Sequence, residues 1–216
     1  MSRRWKIAFL AVFAMLIVAA GVILAIVRHT QSEAKDLLKV VASLDVATST
    51  TVDVRFIEQR FHSYQVASEP SGEVHFVRFV ITNRALAALK LQPLAALSAT
   101  IETRDGRVVG AGVGLERQVG SWTRAALVEE SLRNQSSSCN EPYCVGNPIG
   151  KPFVISRLDA RATPQQKRRS FDLDVNWLTR FRGEPRICDL SPNAWEDWKT
   201  QLPNEVADLQ ATYGCQ

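Results

Sequence analysis

Four cysteines, Cys139, Cys144, Cys188 and Cys215, offer the most chemistry in this chain, and all four fall in its second half. A structural zinc site favours two tight C-x2-C knuckles, and thioredoxin-type exchange needs a C-x-x-C. Neither spacing occurs. Four cysteines admit three pairings. The expected one is Cys139–Cys144 with Cys188–Cys215, because each bridge then closes a local unit. The second would pin an acidic helical tail to its domain, adding about 3 kcal/mol on the loop-entropy argument.

Three other groups of residues invite a binding role. Gly110, Gly112 and Gly114 alternate with Ala111, Val113 and Leu115. They lack the Lys-Ser/Thr of a phosphate loop, so the segment reads as a strand with a bare face, open to another backbone or a flat ring. Trp122 and Trp177, like Trp195 and Trp198, suit either a core or a ligand surface. Lys167, Arg168 and Arg169 form a basic run that is either a solvated face or a contact for lipid headgroups or an acidic partner.

Catalytic groups are harder to find. His29, His62 and His75 have no metal-ligand spacing, although His62 and His75 lie on neighbouring predicted strands. No serine sits in a nucleophile elbow and no HExxH occurs. Glu129-Glu130 are adjacent, and Asp172 and Asp174 read as one solvent face. No catalytic residue, cofactor or metal is assigned. Asn134-Gln135-Ser136 is a formal glycosylation sequon, relevant only in a eukaryotic host.

The elements that carry these residues begin with the stretch Ile7–Val27, twenty-one residues without a charge or a proline. At 1.5 Å per residue it just spans the hydrocarbon core of a bilayer. A cleaved signal peptide would have a shorter core and a small-x-small site such as Ser32-Glu33-Ala34; the length favours a retained anchor. Arg3, Arg4 and Lys6 before the span balance Arg28, Lys35 and Lys39 after it, so charge does not orient it. The cysteines do: disulfides persist in oxidising compartments, placing the C-terminal domain outside the cytoplasm, at the periplasmic face of the inner membrane in a bacterium. Gly21 and Ala25 form a small-xxx-small pair that would permit a weak homodimer.

Arg3, Arg4, Lys6 and Arg28 also account for the whole net charge of +4. The remainder is neutral, which argues against nucleic acid as a partner. Within it, Lys151–Arg186 is basic and Ile187–Gln216 acidic.

After the span, Ala34, Leu37, Leu38, Val41 and Leu44 predict an amphipathic helix with Ser32 as its cap. Val52, Val54 and Phe56 alternate with polar residues and predict a strand. Gly72–Asn83 predicts a strand buried on both faces, and Ala85–Leu97 a short helix or a crossing connection. Asp105-Gly106 predicts a tight hairpin turn. Phe153–Ala162 and Ser170–Leu178 predict a second hairpin about Thr163-Pro164. Ser191-Pro192 predicts a helix start, with Trp195, Trp198 and Leu202 on one face. Val206, Leu209 and Tyr213 predict a last short helix.

These elements sum to a cytoplasmic tail (1–6), a transmembrane helix (7–27), a juxtamembrane helix and linker (28–50) and one extracytoplasmic β-rich domain (51–216). The expected fold is mainly β, an antiparallel immunoglobulin-like sandwich with disulfide-stapled C-terminal helices; the alternative is an α+β sheet with helices on one face. A permanent tether and a domain without a catalytic set point to a non-enzymatic accessory or assembly subunit of an envelope complex. Alternatives are a ligand-binding or sensory module, and an enzyme whose site is assembled from residues distant in sequence.

Overall fold

The apolar run and the amphipathic stretch behind it are one uninterrupted helix, α1 (Arg3–Ser43). The computed structural model describes residues 3–71, 73–120, 122–132, 141–146, 153–181, 183–201, 203–204 and 215. The first half of α1 is apolar on every side and stands free: Phe9 and Val18 are 65% and 66% exposed. It is long and apolar enough to cross a membrane. In the second half only one stripe is apolar, and Ala34, Leu37 and Val41 are buried, followed by Leu44 just beyond the helix end. Each such aliphatic side chain taken out of water contributes about 1.5–3 kcal/mol.

What those residues pack against is a seven-stranded sheet: β1 (Gln65–Ser71), β2 (Val74–Thr82), β3 (Ala95–Arg104), β4 (Arg107–Val119), β5 (Trp122–Ser131), β6 (Tyr143–Gly146) and β7 (Phe153–Asp159). The spatial order is β1-β2-β3-β4-β5-β7-β6. The first five strands form an antiparallel meander, β7 joins β5 in parallel, and β6 returns antiparallel to β7. The β3–β4 turn uses Asp105 and Gly106 at φ +52° and +77°, the left-handed pair that a primed hairpin turn requires. On the inner face Val77, Phe79, Leu97, Ile101, Val113, Leu115 and Val128 are buried.

Helices cover that face, so the immunoglobulin-like sandwich does not form. Among the described residues there is one sheet, and helical residues outnumber strand residues. The arrangement is the α+β alternative. The reason lies in the outer face: Ser98, Thr100 and Glu102 on β3, the glycines of β4 and Glu129 on β5 offer no apolar stripe for a second sheet to bury.

Two local expectations also fail. Val52–Phe56 is not a strand but part of α2 (Thr51–Arg60). Thr50 caps it: the Asp53 carboxylate accepts from the Thr50 N–H at 2.8 Å, and Thr50 Oγ1 accepts from the Val52 N–H. Val54, Ile57 and Phe61 then face the core at helical spacing, leaving Val52 and Phe56 exposed. Thr163-Pro164 is not a hairpin turn but the cap and first residue of α4 (Pro164–Ser170), closed by the Gln166 side chain accepting from the Thr163 N–H at 2.8 Å. Phe171, Leu173, Val175 and Trp177 are buried in alternation with exposed Asp172 and Asn176. Their segment is irregular and ends in a 3-10 turn, Val175–Leu178.

The remaining helices are α3 (Arg84–Ala88), α5 (Ile187–Leu190) and α6 (Pro192–Gln201), which buries Trp195 and Trp198 edge to face at 6.1 Å. Cys188 at α5 is bonded to Cys215, with 5.9 Å between their Cα atoms. Cys144 is also a disulfide cysteine; Cys139, its expected partner, lies outside the described residues, as do Leu202, Val206, Leu209 and Tyr213.

The core role of α1 can be measured. Leu37→Ala should destabilise the folded domain by about 2–5 kcal/mol, read from urea unfolding of the full chain in detergent. Leu16→Ala, in the exposed half, should leave the urea midpoint unchanged.

Candidate functional site

Because side chains alternate along a strand, β4 turns Ala111, Val113 and Leu115 into the core and leaves Gly110, Gly112 and Gly114 outside. The register sets Glu102, Thr100 and Ser98 of β3 beside these glycines on one side. On the other side stand Ser131, Glu129 and Leu127 of β5. The outcome is a groove of about 1060 Å³ with a glycine floor and mixed polar walls. The glycine stripe is therefore on the open face, as its alternation implies.

The neighbours lean over that floor. A Cβ on Gly110 would meet the Glu102 carboxylate at 3.1 Å, and one on Gly114 would meet Leu127 Cδ2 at 2.7 Å. At Gly112 the obstacle is a backbone atom, the Val128 carbonyl oxygen at 3.2 Å. The small residues thus let side chains of β3 and β5 close partly across β4.

The groove is electrostatically divided. Arg157 of β7 pairs with Glu129 at 3.4 Å. Glu102 is held above the ordinary carboxylate range, first by burial and then by the negative charge of Glu129, with Arg104 opposing. Glu102 and Glu129 flank the glycine floor while Arg104, Arg107 and Arg157 line the same groove, so its walls carry charges of both signs. Glutamates facing one another across β4 are invisible in sequence, because only the strand register brings them together.

The other sequence candidates lie elsewhere. Trp177 is buried on the helical side, between the guanidinium groups of Arg117 at 5.3 Å and Arg180 at 4.3 Å from its ring centre. Trp122 opens β5, and its side chain lies outside the described set. Lys167 is structural: it pairs with buried Glu130 at 2.5 Å and donates to the Leu44 carbonyl at the end of α1. Burial raises the Glu130 carboxyl above its usual range, while Lys167 opposes the rise. Arg169 pairs with Asp197 of α6 at 2.6 Å. Arg168 alone of the basic run is fully exposed, beside Lys35 and Lys39 on the helical face.

Arg117, inside a strand pattern, gave no sequence signal. It is a fully buried cation whose guanidinium donates to the carbonyls of Trp177 at 2.7 Å and Arg180 at 3.0 Å. His29 approaches the Tyr64 hydroxyl at 3.4 Å, His62 the Gln59 carbonyl and His75 the Ser68 hydroxyl, each in a different local contact. Among the described residues no group of three or more His, Cys, Asp or Glu is placed to hold a metal ion.

Fold and groove together define a class: an α+β domain continuous with an apolar helix of membrane length, bearing an open, glycine-floored sheet face. No protein family, curated protein or solved structure matches this chain.

Two measurements test the groove's construction from its residues. Gly112→Ala should cost about 1–3 kcal/mol, since a backbone carbonyl cannot swing aside. Gly110→Ala, facing the flexible end of Glu102, should cost less; equal losses in urea unfolding would contradict this account.

Glu102 makes stability depend on pH. The native state keeps its proton to a higher pH than the unfolded chain, so stability falls as pH rises from the ordinary glutamate value, about 4.3, through the raised native one. Glu102→Gln should remove this decline, seen as wild-type and variant curves that diverge as pH rises above about 4. Parallel curves would show that the groove does not perturb this carboxyl.

Proposed function

We propose that this protein is a membrane-anchored, extracytoplasmic accessory or assembly subunit, non-enzymatic, whose open sheet face receives a segment of another envelope protein. The observation that carries the reading is the joining, through α1, of a membrane-length apolar helix to a domain with an uncovered, glycine-floored groove. The groove runs along β4 between β3 and β5, about two strand spacings or 10 Å across. Its walls offer carboxylates (Glu102, Glu129) and guanidinium groups (Arg104, Arg157) to the polar groups of such a segment. The Cys188–Cys215 bond supports an oxidising compartment, hence a C-terminal domain outside the cytoplasm. Gly21 and Ala25 offer a route to a second copy in the membrane.

A photo-crosslinking residue in place of Glu129, with another in place of Arg168 on the helical face, tests this in native membranes. Mild-detergent pull-down of the full chain and mass spectrometry then identify what each site reached. The expected result is a stoichiometric envelope protein crosslinked at position 129 and absent at 168. A chain that comes down alone from both sites removes the assembly reading. The groove volume is also of the size that small ligands occupy, so screening of the purified chain for small molecules would follow that outcome.

A further inference from the structure

The end of the sheet that faces the span carries exposed leucines and cations. α1 runs along the sheet with a defined polarity. The segment that follows its distal end meets the β3–β4 turn, where Thr50 bridges Arg107 and the Val108 N–H donates to the Ser49 carbonyl. Its near end meets the opposite edge: Gln31 Nε2 donates to Thr179 Oγ1 at 2.6 Å, and His29 approaches Tyr64 just before β1. The connection from β2 to β3 is at this near edge, because Gln92 donates to the Thr179 carbonyl. Gln31, Thr179 and Gln92 therefore stand at one level.

That level is fixed relative to the apolar span. Gln31 is four positions beyond Val27, about 6 Å along the helix axis. The headgroup layer extends about 5–8 Å beyond the hydrocarbon core on each side. Thr179 and Gln92 fall inside it if α1 crosses the bilayer.

The residues beside them suit that layer. Leu89, Leu91 and Leu94 are 58%, 38% and 46% exposed, and Phe181 is 49% exposed. Leu86, which anchors the connection in the domain, is completely buried, so the outward leucines are not needed to hold it. Arg84, Lys90 and Arg180 are exposed among them, and no Asp or Glu occurs from Arg84 to Leu94. Lys90 has φ +55°, at the end of α3 where the Leu91 N–H returns to the Leu86 carbonyl. Glycine is the usual occupant of such a position; here the chain keeps a cation between two exposed leucines. Apolar side chains interleaved with Lys and Arg are the composition of surfaces that enter the interface of an anionic bilayer.

We infer that this rim, Leu89, Lys90, Leu91, Leu94, Arg180 and Phe181, is a second membrane contact that seats the domain on the headgroups of the bilayer its own anchor crosses. The inference rests on the reading of α1 as a membrane anchor. The full chain is reconstituted into vesicles of phosphatidylcholine and phosphatidylglycerol carrying nitroxide-labelled lipid. An environment-sensitive fluorophore is attached at one introduced cysteine per variant: Leu91→Cys and Phe181→Cys in the rim, Leu16→Cys in the span, and Val52→Cys at the distal end of the domain. The expected result is loss of fluorescence to headgroup-level nitroxide at positions 91 and 181, loss to deep nitroxide at 16, and none at 52. Lowering the phosphatidylglycerol content should weaken quenching at 91 and 181 while leaving 16 unchanged. Quenching at 16 with none at 91 and 181 overturns the rim and leaves the anchor standing. Absence of quenching at 16 overturns the anchor and, with it, the rim.

Discussion

Everything in this protein depends on one helix that changes character along its length. Up to about Val27 the chain is apolar on all sides, which a helix tolerates only in lipid or in a core. From Thr30 onward it is apolar along a single stripe, which is what a sheet face can cover. Because no proline interrupts α1, both demands are met by one rigid rod. Ala34, Leu37 and Val41 then serve as core residues of a domain whose sheet begins only at Gln65. The helix is thus part of the hydrophobic centre and not a stalk attached to it.

Charges fasten the two ends of that rod. At the distal end, Lys167 joins the Leu44 carbonyl just beyond α1 to the buried carboxylate of Glu130, tying α4 and β5 to the helix terminus. A buried ion pair of this kind adds little net stability, but breaking one partner is costly, so it fixes geometry. At the near end, Arg117 gathers the carbonyls around Trp177 and thereby holds the segment that Gln31 contacts. The inner face is consequently complete, which leaves the outer face of β3, β4 and β5 for whatever the domain meets.

Features set by neighbouring residues were readable in the sequence, and those set by register were not. The β3–β4 hairpin was legible because Asp105-Gly106 supplies the positive φ angles by itself. The glycine face was legible because alternation is a property of one strand. The α2 region misled because Val52, Val54 and Phe56 alternate by coincidence, while the competing Thr50…Asp53 cap and the Val54, Ile57, Phe61 spacing carried the true signal. Around Thr163-Pro164 the same pair of residues begins helices and makes turns, and Gln166 decided for the helix. Glu102 and Glu129 lie twenty-seven positions apart and meet only because β4 runs between their strands. The choice between a sandwich and an α+β layer turned on which face of β4 had anything to bury.

The unbroken passage of α1 from its free half into the core has a mechanical consequence. A flexible linker would let the span and the sheet turn independently, whereas here they share one axis and one phase. A rotation or a piston shift of the span is delivered undamped to β2, β3 and β4, which pack on its other half. One residue added between Val27 and Thr30 would turn the sheet by about 100° around the helix axis and shift it by about 1.5 Å along that axis. The direction in which the groove faces, relative to the apolar half of α1, is therefore written in the phase of the helix.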